Sequence, residues 1–143
     1  MATTTKRYLS YPAAAAGISR ASSGGVAWSF SNYTELVPAN GITSDFNIAG
    51  LTFAFHTPVA AADTTYQWII EIATGGAGAE STILQIPVSI RGDTLVGYVP
   101  SNFIPLAEPK VVAANTRLSV RVAYSLATTS NTLTGIKILY QIT

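Results

Sequence analysis

Apolar and polar residues alternate with a period of two over several stretches of this chain, and no stretch of useful length shows the 3.6-residue period of an amphipathic helix. The longest pattern is a pair of segments around a glycine-rich interruption. Tyr66, Trp68, Ile70 and Ile72 occupy alternate positions, so an extended backbone places all four on one face. Gly75-Gly76-Ala77-Gly78-Ala79 then supplies residues that lack bulk or accept positive φ. Thr82-Ile83-Leu84-Gln85-Ile86-Pro87-Val88-Ser89-Ile90 resumes a β-rich run. Residues 66–90 are predicted to form a long hairpin at the centre of the fold.

The same period recurs on both sides. Val26, Trp28 and Phe30 alternate with Ala27, Ser29 and Ser31, the pattern of a half-buried strand with both Trp28 and Trp68 as core residues. The phase shifts over residues 32–37, which predicts a bulge, and Pro38-Ala39-Asn40-Gly41 predicts a turn with positive φ. Phe46 and Ile48 are offset from Leu51, Phe53 and Phe55 around Ala49-Gly50, where a glycine inside a strand marks a bulge or a close backbone approach. Arg91-Gly92-Asp93 reads as a turn, and residues 95–99 as a short strand closed by Pro100. Pro105 and Pro109 make residues 101–109 extended and irregular, or an edge, before a brief pairing at Lys110-Val111-Val112. In residues 116–126, Leu118, Val120, Val122, Tyr124 and Leu126 face one way, and Arg117, Ser119, Arg121, Ala123 and Ser125 the other. Ile136, Ile138, Tyr140 and Ile142 form a last strand, apolar enough to belong inside a sheet.

About eight strands without a helix imply an all-β domain, an antiparallel β-sandwich, with a jelly roll preferred over an immunoglobulin-like arrangement because long irregular connections suit it. The strand order is not readable. No fixed-period repeat is present, which argues against a propeller or solenoid. Residues 26–143 are predicted to form this single domain. Residues 1–25 carry linker-like Thr3-Thr4-Thr5, an alanine run after Pro12, and Ser22-Ser23-Gly24-Gly25. They fit a disordered tail, or an extended N-terminal arm that orders on a neighbouring subunit through Tyr8, Leu9, Tyr11 and Ile18.

Composition adds a constraint on surroundings. Charged residues make up 10% of the 143, against about 25% in an ordinary soluble domain. Either the surface meets other protein, or Ser, Thr and Asn do the solvating. The net charge of +1 comes with no basic cluster beyond Lys6-Arg7, so nucleic acid is not an expected partner. The chain has 0 cysteines, which excludes disulfides and thiolate metal sites. No apolar run reaches the length of a membrane span. Residues 6–17 loosely imitate a signal peptide, but two tyrosines, a serine and a proline interrupt the apolar segment, which is read as mature chain.

No catalytic, cofactor or metal constellation emerges. The 1 histidine, His56, stands at a strand end without a nucleophile-elbow motif elsewhere. Glu71 and Glu80 flank the glycine loop, but a salt bridge from Glu71 to Arg117, Arg121 or Lys137 explains Glu71 more simply than acid–base work. The loop lacks the lysine of a phosphate cradle and precedes a strand instead of a helix. Arg-Gly-Asp is explained by its turn, and the Asn32-Tyr33-Thr34 sequon by chance. Arg117 and Arg121 share one strand face; they either bind an acidic neighbour or pair with Glu71.

Three stretches resemble a known group. Tyr66-x-Trp68-x-Ile70-Glu71-Ile72-Ala73-Thr74-Gly75-x-Ala77-Gly78-x-Glu80, Ile86-Pro87-Val88, and Ala113-Ala114-Asn115-Thr116-Arg117-Leu118-Ser119-Val120-Arg121-Val122 resemble small structural proteins of tailed-bacteriophage virions, over about residues 26–142. The resemblance implies a non-enzymatic β-sandwich subunit on the capsid surface, a decoration (cement) protein. It implies the major capsid protein as partner and self-association, with trimers frequent, and does not separate this role from a tail, neck or fibre subunit. The interface residues expected on this basis are Tyr8, Leu9, Tyr11, Ile18, Arg117 and Arg121. A different class of function, a carbohydrate-binding sandwich, would use aromatics such as Tyr98, Tyr33 or Trp28.

Overall fold

In the computed structural model, which describes residues 7–13, 17–22, 25–57, 65–91, 98–127 and 131–143, the alternating segments become nine strands in two antiparallel sheets. These are β1 (Leu9–Tyr11), β2 (Ile18–Ala21), β3 (Thr34–Val37), β4 (Phe46–Thr57), β5 (Thr65–Thr74), β6 (Ser81–Arg91), β7 (Tyr98–Val112), β8 (Leu118–Tyr124) and β9 (Thr132–Ile142). The first sheet has the order β1-β9-β4-β7, with β2 also on β9; the second has the order β3-β8-β5-β6. Between β2 and β9 the chain changes sheet at every connection except the β5–β6 hairpin. The two interlocked sheets β2-β9-β4-β7 and β3-β8-β5-β6 make a jelly roll, the arrangement preferred from the sequence. The turn at Gly92-Asp93, residues 95–97, and the side chains of His56 and Tyr98 lie outside the described residues.

Inward-facing side chains meet in rows across the sheets. Trp68 lies between Val88 and Tyr124, Ile70 between Ile86 and Val122, and Ile72 between Leu84 and Val120. Trp68, Ile70, Ile72, Val120, Val122 and Tyr124 are all buried, and so are Phe46, Ile48, Leu51 and Phe53 of the opposing sheet. The phase change inside β4 is the bulge expected at Gly50, since the register with both β7 and β9 shifts between Ile48 and Gly50. A Cβ at Gly50 would stand 2.3 Å from the Phe103 ring and 2.5 Å from the Ile104 carbonyl, so the position also has the close approach that only glycine admits.

The segment before β3 supplies two short strands to the first sheet. β1 pairs with residues 138–140 and β2 with residues 132–136, so they follow one another along one edge of β9. Just before β2 stands Gly17, whose φ is 60° and whose Cβ, if present, would lie 2.6 Å from the Gly135 carbonyl carbon. Gly135 itself has φ 77°, with Ala54 Cβ 2.7 Å from the place of a Cβ. Gly135→Ala is therefore expected to cost about 2–4 kcal/mol, from positive φ and overlap together. A fall in the urea midpoint at unchanged slope is the measurement.

Four sequence expectations are corrected. Residues 26–30 do not form a strand: Ser29 N–H donates to Val26 O at 3.3 Å, Trp28 takes φ 63°, and the chain turns there. Val26 and Trp28 are consequently 68% and 44% exposed instead of buried. β8 ends at Tyr124, which leaves Leu126 exposed beyond the sheet. Residues 98–112 are one strand, β7, and not two separate short pairings, while its outermost position in the first sheet is the edge that one of the two sequence readings gave the prolines. Lys137 belongs to β9, in the sheet that does not contain Glu71, and so is not a neighbour available for pairing.

Candidate functional site

Alternation along β8 and the residue just before it turns Arg117, Ser119, Arg121 and Ala123 away from the core, toward the face that a sandwich normally gives to water. Ser119, Ala123 and, on β5, Ala73 are nevertheless buried. Glu71, placed opposite Arg121 by the β5–β8 register, is 1% exposed. Over Arg121 and Glu71 the cover comes from residues 28–33. They run beside β8 as an irregular approach to β3: Trp28 N–H donates to Tyr124 O at 2.7 Å and Ser31 N–H to Val122 O at 2.8 Å. Ser31 Oγ accepts the Val122 N–H at 3.1 Å. Phe30 and Tyr33 reach from this segment over the sheet, and the Arg121 guanidinium carbon lies 4.4 Å from each ring centroid.

These side chains close around Glu71. Its Oε1 accepts from Thr82 Oγ1 at 2.7 Å, from Arg121 Nε at 2.7 Å and Nη2 at 2.6 Å, and from the Tyr33 hydroxyl. Its Oε2 accepts from Gln85 Nε2 at 2.6 Å. Burial pushes the carboxyl pKa up, but the hydrogen bonds from Tyr33, Gln85 and Thr82 and the Arg121 charge outweigh it and hold Glu71 below its ordinary value. Tyr33 moves the opposite way, raised by burial and by the bond it donates to an anion. Glu71 is thus an ionised structural acceptor whose lone pairs are committed to neighbours. A paired-carboxylate role with Glu80 is not what the geometry builds.

Arg117, four residues before Arg121, holds the hairpin loop. Its Nε donates to Glu35 Oε2 at 2.9 Å, and its Nη1 donates to Gly75 O at 3.0 Å and to Glu80 Oε1 at 3.4 Å. Glu80 Oε2 accepts the Gly78 N–H at 2.9 Å, which fixes the loop from inside. Between this loop and residues 30–33 lies a cleft of about 380 Å³ whose lining includes both guanidinium groups. On the other side of Phe30, Arg20 donates from Nη2 to Asn32 O, at the margin of a second hollow of about 370 Å³.

The six residues expected at an interface fall in two places. Tyr8, Leu9, Tyr11 and Ile18 lie at the β9 edge of the first sheet, whereas Arg117 and Arg121 lie on the outer face of the second. Tyr11 and Ile18 pack against the core; Tyr8 and Leu9 are exposed. Both arginines have carboxylate partners within the chain, Arg121 with Glu71 as one of the two sequence alternatives had it. Sequence reasoning did not identify Phe30, Glu35 or Thr82 as members of these clusters. Parity put Arg121 and Glu71 on one kind of face, but only the strand register makes them opposite. Among the described residues no group of three or more His, Cys, Asp or Glu side chains is placed to hold a metal ion. Among the described residues no helix is long and apolar enough to cross a membrane.

No protein-family model and no curated protein matches this chain. Among solved structures, the chain is similar to the VP2 subviral particle of infectious bursal disease virus, with a TM-score of 0.44 and 16% sequence identity. The alignment covers 97% of this chain and 33% of the VP2 chain, so this chain spans about a third of that protein's length.

Proposed function

We propose that this protein is a non-enzymatic structural subunit of a virus particle, one that docks on the capsid surface as a decoration or cement protein and acts as a homo-oligomer, with a trimer as the expected form. The observation that carries the proposal is that four of the eight exposed large apolar side chains among the described residues lie toward one end of the first sheet. Tyr8, Leu9, Val111 and Ile142 are 61%, 42%, 69% and 42% exposed. The register puts them at one end of the first sheet: Leu9 and Ile48 flank Tyr140, Val111 pairs with Asn47, and Ile142 with Phe46. A chain with only 10% charged residues has little charge with which to keep such an end in water. Covering it with a capsid subunit returns about 25 cal/mol per Å² of apolar surface, and a symmetric oligomer multiplies weak contacts into avidity. The resemblance of the central hairpin and β8 to tailed-phage virion proteins supports the same role.

The test uses particles lacking the protein and the triple variant Tyr8→Ser, Leu9→Ser, Val111→Ser. These side chains are exposed, so the melting temperature should stay near wild type while particle binding falls roughly tenfold or more. Unchanged binding by a folded triple variant overturns the docking face. Truncation of residues 1–20 is a poorer test, because it also removes β1 and most of β2 from β9.

A further inference from the structure

We propose that the cleft between residues 30–33 and the β5–β6 loop is a binding site for a neutral carbohydrate. Its chemistry is mixed in a particular way. Arg121 holds Glu71 through Nε and Nη2, and Arg117 holds Glu35, Gly75 and Glu80 through Nε and Nη1, so each guanidinium is pinned by bonds that use two of its three nitrogens. Each is a fixed donor held in place by those bonds, so no ordering cost falls on it at binding. Glu80 offers acceptor capacity beside them: its Oε1 is engaged only at 3.4 Å by Arg117, and its position is set by the Gly78 N–H. Phe30 and Tyr33, both half-buried, add apolar ring surface to the lining.

Charge selects among ligands. Two guanidinium groups face three carboxylates, Glu35, Glu71 and Glu80, so the cluster has no surplus positive charge for a phosphate, sulfate or sialyl carboxylate. The two guanidinium groups equally disfavour a cation. Hydroxyl groups that accept from one neighbour and donate to another satisfy both kinds of wall, and the C–H faces of a sugar ring suit the aromatic surface. At about 380 Å³ the cleft stands at the small end of the usual ligand range of about 300–1,000 Å³, which suits about one or two sugar rings. Of the aromatics expected for a carbohydrate site, Tyr33 lines this cleft, whereas Trp28 is not part of its lining.

The experiment probes the full chain against an array carrying neutral, sialylated and sulfated glycans, followed by NMR titration with the best neutral sugar. Binding to at least one neutral glycan is expected, with shifts at the Tyr33 and Gly78 amides. Ala77→Trp, a substitution at an exposed loop position lining the cleft, should reduce that binding roughly tenfold or more without lowering the melting temperature. Trp28→Ala should leave it unchanged. Absence of any neutral-sugar binding, preference for the charged glycans, or full binding by a folded Ala77→Trp variant each overturns the proposal. Particle docking is read separately: its variants lie on the first sheet and the cleft on the second, so either can fail without the other.

Discussion

Arg121→Ala is expected to destabilise the protein by about 3–5 kcal/mol at pH 7, the cost of leaving a buried carboxylate without its counter-charge. Glu71→Ala should cost less, about 2–3 kcal/mol, although it breaks the same pair. The asymmetry follows from burial: the Glu71 side chain is 1% exposed and Arg121 is 30% exposed, so a stranded guanidinium regains water and a stranded carboxylate does not. Thr82, Gln85 and Tyr33 would still donate to Glu71 in the arginine variant, but neutral and weaker donors do not replace the charge. Urea denaturation of both variants and of the double variant gives the coupling directly. Equal costs for the two single variants would show that Glu71 is hydrated in solution.

The pH dependence has a defined sign. Glu71 has a folded-state pKa below its ordinary value of 4.5, so its contribution is complete above that value and is lost as pH falls through the folded pKa. Wild-type stability should therefore decline with acidification more steeply than that of Glu71→Gln. The deficit of Arg121→Ala should shrink over the same interval, because a protonated Glu71 no longer needs a counter-charge. A deficit independent of pH between 7 and about 3.5 would exclude charge as the cause.

Two tryptophans that are equivalent by sequence pattern should respond very differently to truncation. Trp68→Ala is expected to cost about 3–5 kcal/mol, the range for removing a large aromatic from a packed core. Trp68 is 1% exposed, its ring centroid is 4.4 Å from that of Tyr124, and Val88 flanks it across the hairpin. Trp28→Ala should change stability by less than about 1 kcal/mol, since the side chain is 44% exposed and its backbone bond to Tyr124 survives the substitution. A loss above about 2 kcal/mol for Trp28→Ala would mean that residues 26–30 pack as the strand their alternation imitates. Thermal or urea unfolding of the pair settles it.

Local patterns determined much of the architecture by themselves. β5, β8 and β9 were legible because each turns a row of large apolar side chains to the core, and a period of two is how an extended chain does that. The bulge at Gly50 and the turn at Asn40, with φ 64°, were legible because a phase slip and an Asn-Gly pair have few other conformational meanings. The glycine loop at residues 75–79 was readable as a turn for the same reason. Strand order was not readable. In a jelly roll nearly every connection crosses to the other sheet, so pairing partners such as β4 and β9 are far apart in sequence and leave no local trace.

Tertiary structure alone decided the outer face of the second sheet. A period-two pattern says which residues share a face, but not what else will come to lie on that face. Residues 28–33 take that place, and their apolar alternation imitates a strand because Phe30 is used against Arg121, while Val26 and Trp28 are spent on a turn. Its strand parity put Glu71 on the face away from the core, with a salt bridge as its role; it is buried there because β3's approach, β6 and β8 each bring it a donor. The cleft follows from the same non-local arrangement. Its arginines share one face in the strand pattern, but its walls come from segments some forty residues apart that meet only once the sheet is formed.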